Sequence, residues 1–135
     1  MAENRNITWE LTYVISKDVT TPAKLMLQSD DLEWGKWMTA PPSQISTTPG
    51  NSKKVTFKAA GRACTSTGTE GSVVYKGDDA ENTVFTLKFD IPYSKANSGG
   101  VTGGSSYFSI DGGEVPVSGN SVTAKVTITQ VKPTI

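Results

Sequence analysis

The tightest constraint on this chain is an alternation. From position 7 the odd residues read Ile7, Trp9, Leu11, Tyr13 and Ile15, set among Thr8, Glu10, Thr12 and Ser16, and only Val14 breaks the pattern. Successive side chains of an extended segment point to opposite sides, so this stretch has one apolar face that must be covered. The same period returns in Val55, Phe57 and Ala59, in Phe85, Leu87, Phe89 and Ile91, and in Val122, Ala124, Val126 and Ile128. Shorter extended candidates lie at 24–27, 32–37, 72–75 and 106–110. No window carries the 3.6-residue apolar period of a helix.

Turn signals separate these runs: Pro49-Gly50-Asn51, Gly77-Asp78-Asp79, Ser98-Gly99-Gly100, Asp111-Gly112-Gly113 and Gly119-Asn120. Many short strands with frequent turns predict an all-β, single-domain antiparallel β-sandwich of about eight strands over residues 1–135. A chain of this length buries roughly two thirds of its unfolded surface in one core, so one site or one face carries the function. The Gly/Ser-rich region 93–105 is expected to be a mobile surface loop. Asp30-Asp31 and Asp78-Asp79 lack the spaced oxygen ligands of a calcium loop and read as turns.

Charge and composition remove several function classes. Thirteen basic residues balance thirteen acidic ones, and neither sign forms a run longer than a pair. No track for nucleic acid and no polybasic patch for anionic lipid is present. The absence of histidine removes the commonest general base and metal ligand, and the lone Cys64 can form no internal disulfide. No cofactor is implied. The amino terminus MAENRNITWE lacks the pattern of a signal peptide, so a soluble protein made without one is expected.

The segment GRACTSTGTEG at 61–71 looks at first like a catalytic or phosphate loop. A phosphate cradle needs a Lys-Ser/Thr pair and a following helix, whereas here the strand-like SVVY follows and the loop holds no lysine. A nucleophilic Cys64 would need a base, and without histidine a small hydrophobe is the better reading. Glu33, Glu70, Asp90 and Glu114 could in principle meet as a glycosidase pair, but the sequence does not show that any two do, and solvated or strand-end carboxylates are the default reading. The loop therefore reads as a connection between two strands, and the chain is not expected to be an enzyme.

Trp34-Gly35-Lys36, VTFKAAGR at 55–62, GTEG at 68–71, FDIPYSKAN at 89–97 and a Thr-rich final strand occur in an order that resembles the aegerolysins. The likeness spans nearly the whole chain and includes the small aegerolysin-like insecticidal proteins of bacteria. It implies a β-sandwich that binds membrane sphingolipids, either ceramide phosphoethanolamine or sphingomyelin with cholesterol. It also implies the lipid-recognising half of a two-component cytolysin with a larger pore-forming protein as partner. Storage in the cytoplasm or in inclusions, followed by action at target-cell membranes, belongs to the same expectation.

Zwitterionic headgroups give a neutral protein no bulk attraction, so recognition falls to interfacial aromatics and hydrogen bonds. Trp34, Trp37 and Tyr93 are the aromatic candidates. Trp34 matches the family tryptophan before Gly-Lys, and Tyr93 stands where fungal members often carry a tryptophan after proline. Read as one strand, 32–37 places Trp34 and Trp37 on opposite faces, so one is core and the other exposed. Trp9, inside the best alternating run, is expected in the core. Fungal members tend to carry an acidic residue before the central loop glycine. Here Thr67 takes that place and Glu70 follows two positions after Gly68, so both are candidates for setting lipid choice. Asp90 is a candidate for a headgroup amine or for a structural role at a strand end. The competing reading is a carbohydrate-binding sandwich in which Trp37 or Tyr93 stacks on a sugar and Asp90 or Asn97 bonds its hydroxyls.

Overall fold

A computed structural model describes residues 5–63 and 65–133. Two five-stranded sheets face each other. One has the order β3 (Lys36–Thr39), β5 (Ser52–Ala60), β1 (Asn6–Ile15), β10 (Ser121–Gln130), β9 (Phe108–Gly112). The other has the order β4 (Gln44–Ile45), β2 (Leu25–Trp34), β6 (Thr69–Gly77), β7 (Val84–Ile91), β8 (Ser98–Gly103). Among the described residues there is no helix, so none is long and apolar enough to cross a membrane.

The alternating runs become the inner faces. Ile7, Trp9, Leu11, Tyr13 and Ile15 of β1 are fully buried, and Phe57, Ala124, Val126 and Ile128 flank them in the same sheet. Val73, Tyr75, Phe85, Leu87, Phe89 and Ile91 close the core from the other sheet. The buried Trp9 Nε1 has no hydrogen-bond partner among the described residues. Polar clamps hold the far end. Tyr13 donates its hydroxyl to the Ala23 carbonyl at 2.7 Å, and Tyr75 donates to the Pro42 carbonyl at 2.6 Å.

Several expectations need correction. Among the described residues the sandwich holds ten strands rather than about eight, and one pairing is parallel: β1 runs beside β10 in register from Asn6↔Ser121 to Ile15↔Gln130. The region read as a loop at 93–105 contains β8, which pairs with β7 from Asp90↔Ser98 to Phe85↔Gly103. Asp30 and Asp31 lie within β2 rather than in a turn, next to its register shifts. Asp79 does sit in a turn, where its buried carboxylate accepts from the Thr83 amide and hydroxyl and from the Glu81 amide. Cys64 lies outside the described residues.

The segment 32–37 is two strands in two sheets. Gly35 lies between them with φ +102, in the left-handed region that glycine enters without strain, and a Cβ there would strike the Ala60 carbonyl and the Thr69 hydroxyl. The chain thus turns a corner at Gly35 and leaves one sheet for the other. Trp34 ends β2 and Trp37 lies in β3.

Candidate functional site

Strand directions gather four connections at one end of the sandwich. The register pairs place the start of β1, the end of β5, the starts of β6, β8 and β10 and the end of β7 at this end. The Gly35 corner, the 61–68 loop, the 92–97 segment and the 113–120 segment therefore lie there together.

The corner and the first two loops enclose an open cleft of ≈ 270 Å³. Trp34, Thr67, Glu70, Asp90, Tyr93 and Lys95 line it. Trp34 is 54% exposed and Tyr93 43% exposed, so both rings present apolar surface to solvent at the mouth. Five residues singled out in the sequence thus meet in one place although they come from three separate stretches of the chain, at 34, 67–70 and 90–93.

Each is positioned by a local reason. Thr69 donates its hydroxyl to the Trp34 carbonyl at 3.1 Å, which ties the end of β2 to the start of β6. Gly68 lies so close to β7 that a Cβ would collide with the Ile91 carbonyl and the Pro92 Cα, so the glycine of GTEG is required by packing. Thr67 is exposed within the loop, its hydroxyl 3.1 Å from that of Thr65, which in turn donates to the Arg62 carbonyl at 2.7 Å.

Glu70 and Asp90 are direct cross-strand partners on the outer face of the β6–β7 pair. Side chains placed so stand close, and like charges there repel. Neither is ion-paired to another described residue. The Glu70–Asp90 pair is also shared with a neighbouring groove of ≈ 390 Å³ that adds Asp31, Glu33 and Lys88, so the cleft opens onto a mainly acidic strip. No three His, Cys, Asp or Glu side chains among the described residues come close enough to hold a metal ion.

Trp37 is not part of this cleft. It is half-buried, its Nε1–H donates to the Asp30 carbonyl at 3.0 Å, and its ring meets Phe57 and Phe89 edge-on at 6.2 and 6.1 Å. From the edge of one sheet it reaches across to the other. Asn97, a candidate for sugar hydroxyls, is buried, and its Nδ2 donates to the Pro116 and Gly119 carbonyls.

Sequence reasoning missed Arg5. Its Nε donates to the Pro92 carbonyl at 3.2 Å and its Nη2 to the Tyr93 carbonyl at 2.6 Å, while its own carbonyl accepts from the Gly61 amide at 2.8 Å. It therefore joins the entry of β1 to both loops that flank the cleft. A lone arginine before the first strand carries no local pattern that would reveal this.

Similar folds occur among solved structures. RahU, in complex with a TRIS molecule, shares 21% identity with a TM-score of 0.63, covering 95% of this chain and 95% of its own. IP-1A from Alcaligenes faecalis shares 20% identity with a TM-score of 0.64, covering 96% of this chain and 93% of its own. The lipid-binding protein Nakanori shares 8% identity with a TM-score of 0.59, covering 90% of this chain and 70% of its own. By sequence alone, no curated protein matches. The sequence profile of the aegerolysins does match, over residues 12–132, which takes in β2 to β10 whole, the last part of β1 from Thr12 to Ile15, and all the lining of the cleft. The chain belongs to the aegerolysin family.

Proposed function

We propose that this protein is the membrane-lipid-binding component of a cytolytic or insecticidal toxin, that it recognises sphingolipid headgroups, and that it recruits a larger pore-forming partner. The observation that carries this reading is the meeting of Trp34 and Tyr93, both exposed, at the mouth of a cleft floored by Glu70 and Asp90. Tryptophan and tyrosine favour the boundary between water and hydrocarbon. The facing carboxylates attract an ammonium group, which would relieve their repulsion, and Lys95 on the rim offers a donor to a phosphate. Ceramide phosphoethanolamine carries both groups. The fold shared with the lipid-binding protein Nakanori agrees with a lipid ligand.

The test is sedimentation with vesicles of phosphatidylcholine, with and without ceramide phosphoethanolamine or with sphingomyelin and cholesterol, beside a glycan panel. Selective pelleting with the sphingolipid vesicles is expected. Equal pelleting with all vesicles ends the sphingolipid reading, and selective capture by a glycan replaces it with the carbohydrate-binding one. Lysis of the same vesicles only after addition of a larger partner protein would support the two-component arrangement.

A further inference from the structure

A single exposed valine on a protein surface is ordinary. Val117, at 70% exposure, is the most exposed large apolar side chain among the described residues, and two further observations set it apart. The first is place. Tyr93 borders two hollows: it shares the cleft with Trp34, and it shares a second hollow of ≈ 440 Å³ with Arg5, Lys95, Val117 and Asn120. Trp34, Tyr93 and Val117 thus follow one another along the same end of the sandwich.

The second is restraint. The Asn97 amide N–H donates to the Val117 carbonyl at 3.0 Å, and its Nδ2 donates to the carbonyls of Pro116 and Gly119 at 3.1 and 3.0 Å. Val115, two residues earlier, is buried in the core. The loop is held on both sides of Val117 and at Val117 itself, while the side chain is left in water. A restrained apolar tip reaches a partner surface without the entropy cost of ordering a loop.

We propose that the bilayer-contacting surface extends past the headgroup cleft to Val117, which enters the acyl boundary while Tyr93 and Trp34 sit at headgroup depth. The proposal rests on the membrane reading above. A membrane suits this surface because aromatic residues lead up to the aliphatic tip, and because the exposed, cationic Lys95 beside it has a stem able to lie along the interface with its charge among headgroups.

The experiment compares vesicle partitioning of wild type, Val117→Asp, Val117→Trp, Trp34→Ala and Val84→Ser. Val84 is also exposed, but it starts β7 at the opposite end of the sandwich and serves as the control. Val117→Asp is expected to bind about tenfold more weakly, as loss of roughly half the transfer gain of a valine requires, with an unchanged thermal midpoint. Val117→Trp is expected to bind at least as well as wild type, with the added indole quenched by brominated acyl chains, and Val84→Ser to match wild type. If wild type and Trp34→Ala bind vesicles no better than buffer controls, the membrane reading itself fails. If wild type binds but Val117→Asp binds equally, or the added indole escapes quenching, only the extension to Val117 is overturned. It is also overturned if Val117→Asp binds vesicles normally but fails to support lysis with a partner protein, which would make Val117 a protein contact.

Discussion

The guanidinium of Arg5 lies over the ring of Tyr93, 4.7 Å from its centroid, while its nitrogens hold the carbonyls of Pro92 and Tyr93. One side chain thus holds both the backbone and the ring of an aromatic residue that borders both hollows. Lysine carries the same charge but neither the planar fork nor the stacking surface. Arg5→Lys is therefore expected to weaken sphingolipid-vesicle binding several-fold with little change in thermal midpoint. Arg5 acts through Tyr93, so the same substitution in a Tyr93→Ala background is expected to cost nothing further. Additive losses in that double-mutant cycle would contradict the positioning role.

Trp34 and Trp37 separate binding from stability. Trp34→Ala removes an exposed ring and is expected to reduce vesicle binding while the urea midpoint stays near wild type. Trp37→Ala removes the edge-on contacts with Phe57 and Phe89 and the bond to the Asp30 carbonyl, at an expected cost of about 2–3 kcal/mol in urea unfolding. A Trp37→Ala protein as stable as wild type would return Trp37 to the list of lipid contacts.

The contrast between these two tryptophans shows what a sequence conveys. Strands β1, β7 and β10 are legible because each is half-buried and so alternates. The β8 segment, SGGVTG, has no alternation to read and becomes a strand by hydrogen-bonding to β7. The parallel pairing of β1 with β10 leaves no local trace, since residue pattern reports burial and not the direction of a neighbour. Trp34 and Trp37 follow the opposite-face expectation only in outcome, because the corner at Gly35 puts them in different sheets. The five cleft residues are legible through the family order of motifs. Arg5 and Val117 are not, because their roles come from contacts with chain segments distant in sequence.

Glu70 and Asp90 predict opposite signs for stability and binding. As facing carboxylates they repel across the β6–β7 pair, a penalty of about 0.5 kcal/mol at a partly exposed site. Glu70→Gln or Asp90→Asn is expected to raise stability by about that amount and to weaken binding to ceramide phosphoethanolamine vesicles. Urea unfolding and vesicle sedimentation on the same samples check both signs. A fall in stability would show that the carboxylates have stabilising partners, and unchanged binding would remove them from headgroup recognition.

Tyr13 and Tyr75 set an alkaline limit. Burial, first, and nearby aspartates, second, push both phenols well above the usual tyrosine value of 10.0. The fold holds each neutral, with its hydroxyl donated to Ala23 or Pro42, whereas the unfolded chain ionises normally. A folded-state value raised in this way means that the stability is fully present below the unfolded value and is lost as pH rises above it. Between the two values each tyrosine removes up to about 1.4 kcal/mol per pH unit. Wild-type stability in urea is therefore expected to fall steeply from about pH 10 upward. The Tyr13→Phe/Tyr75→Phe double variant, though weaker near neutrality by about 1 kcal/mol per lost hydrogen bond, is expected to decline less over the same range. Parallel declines of the two proteins would show that other groups set the alkaline limit.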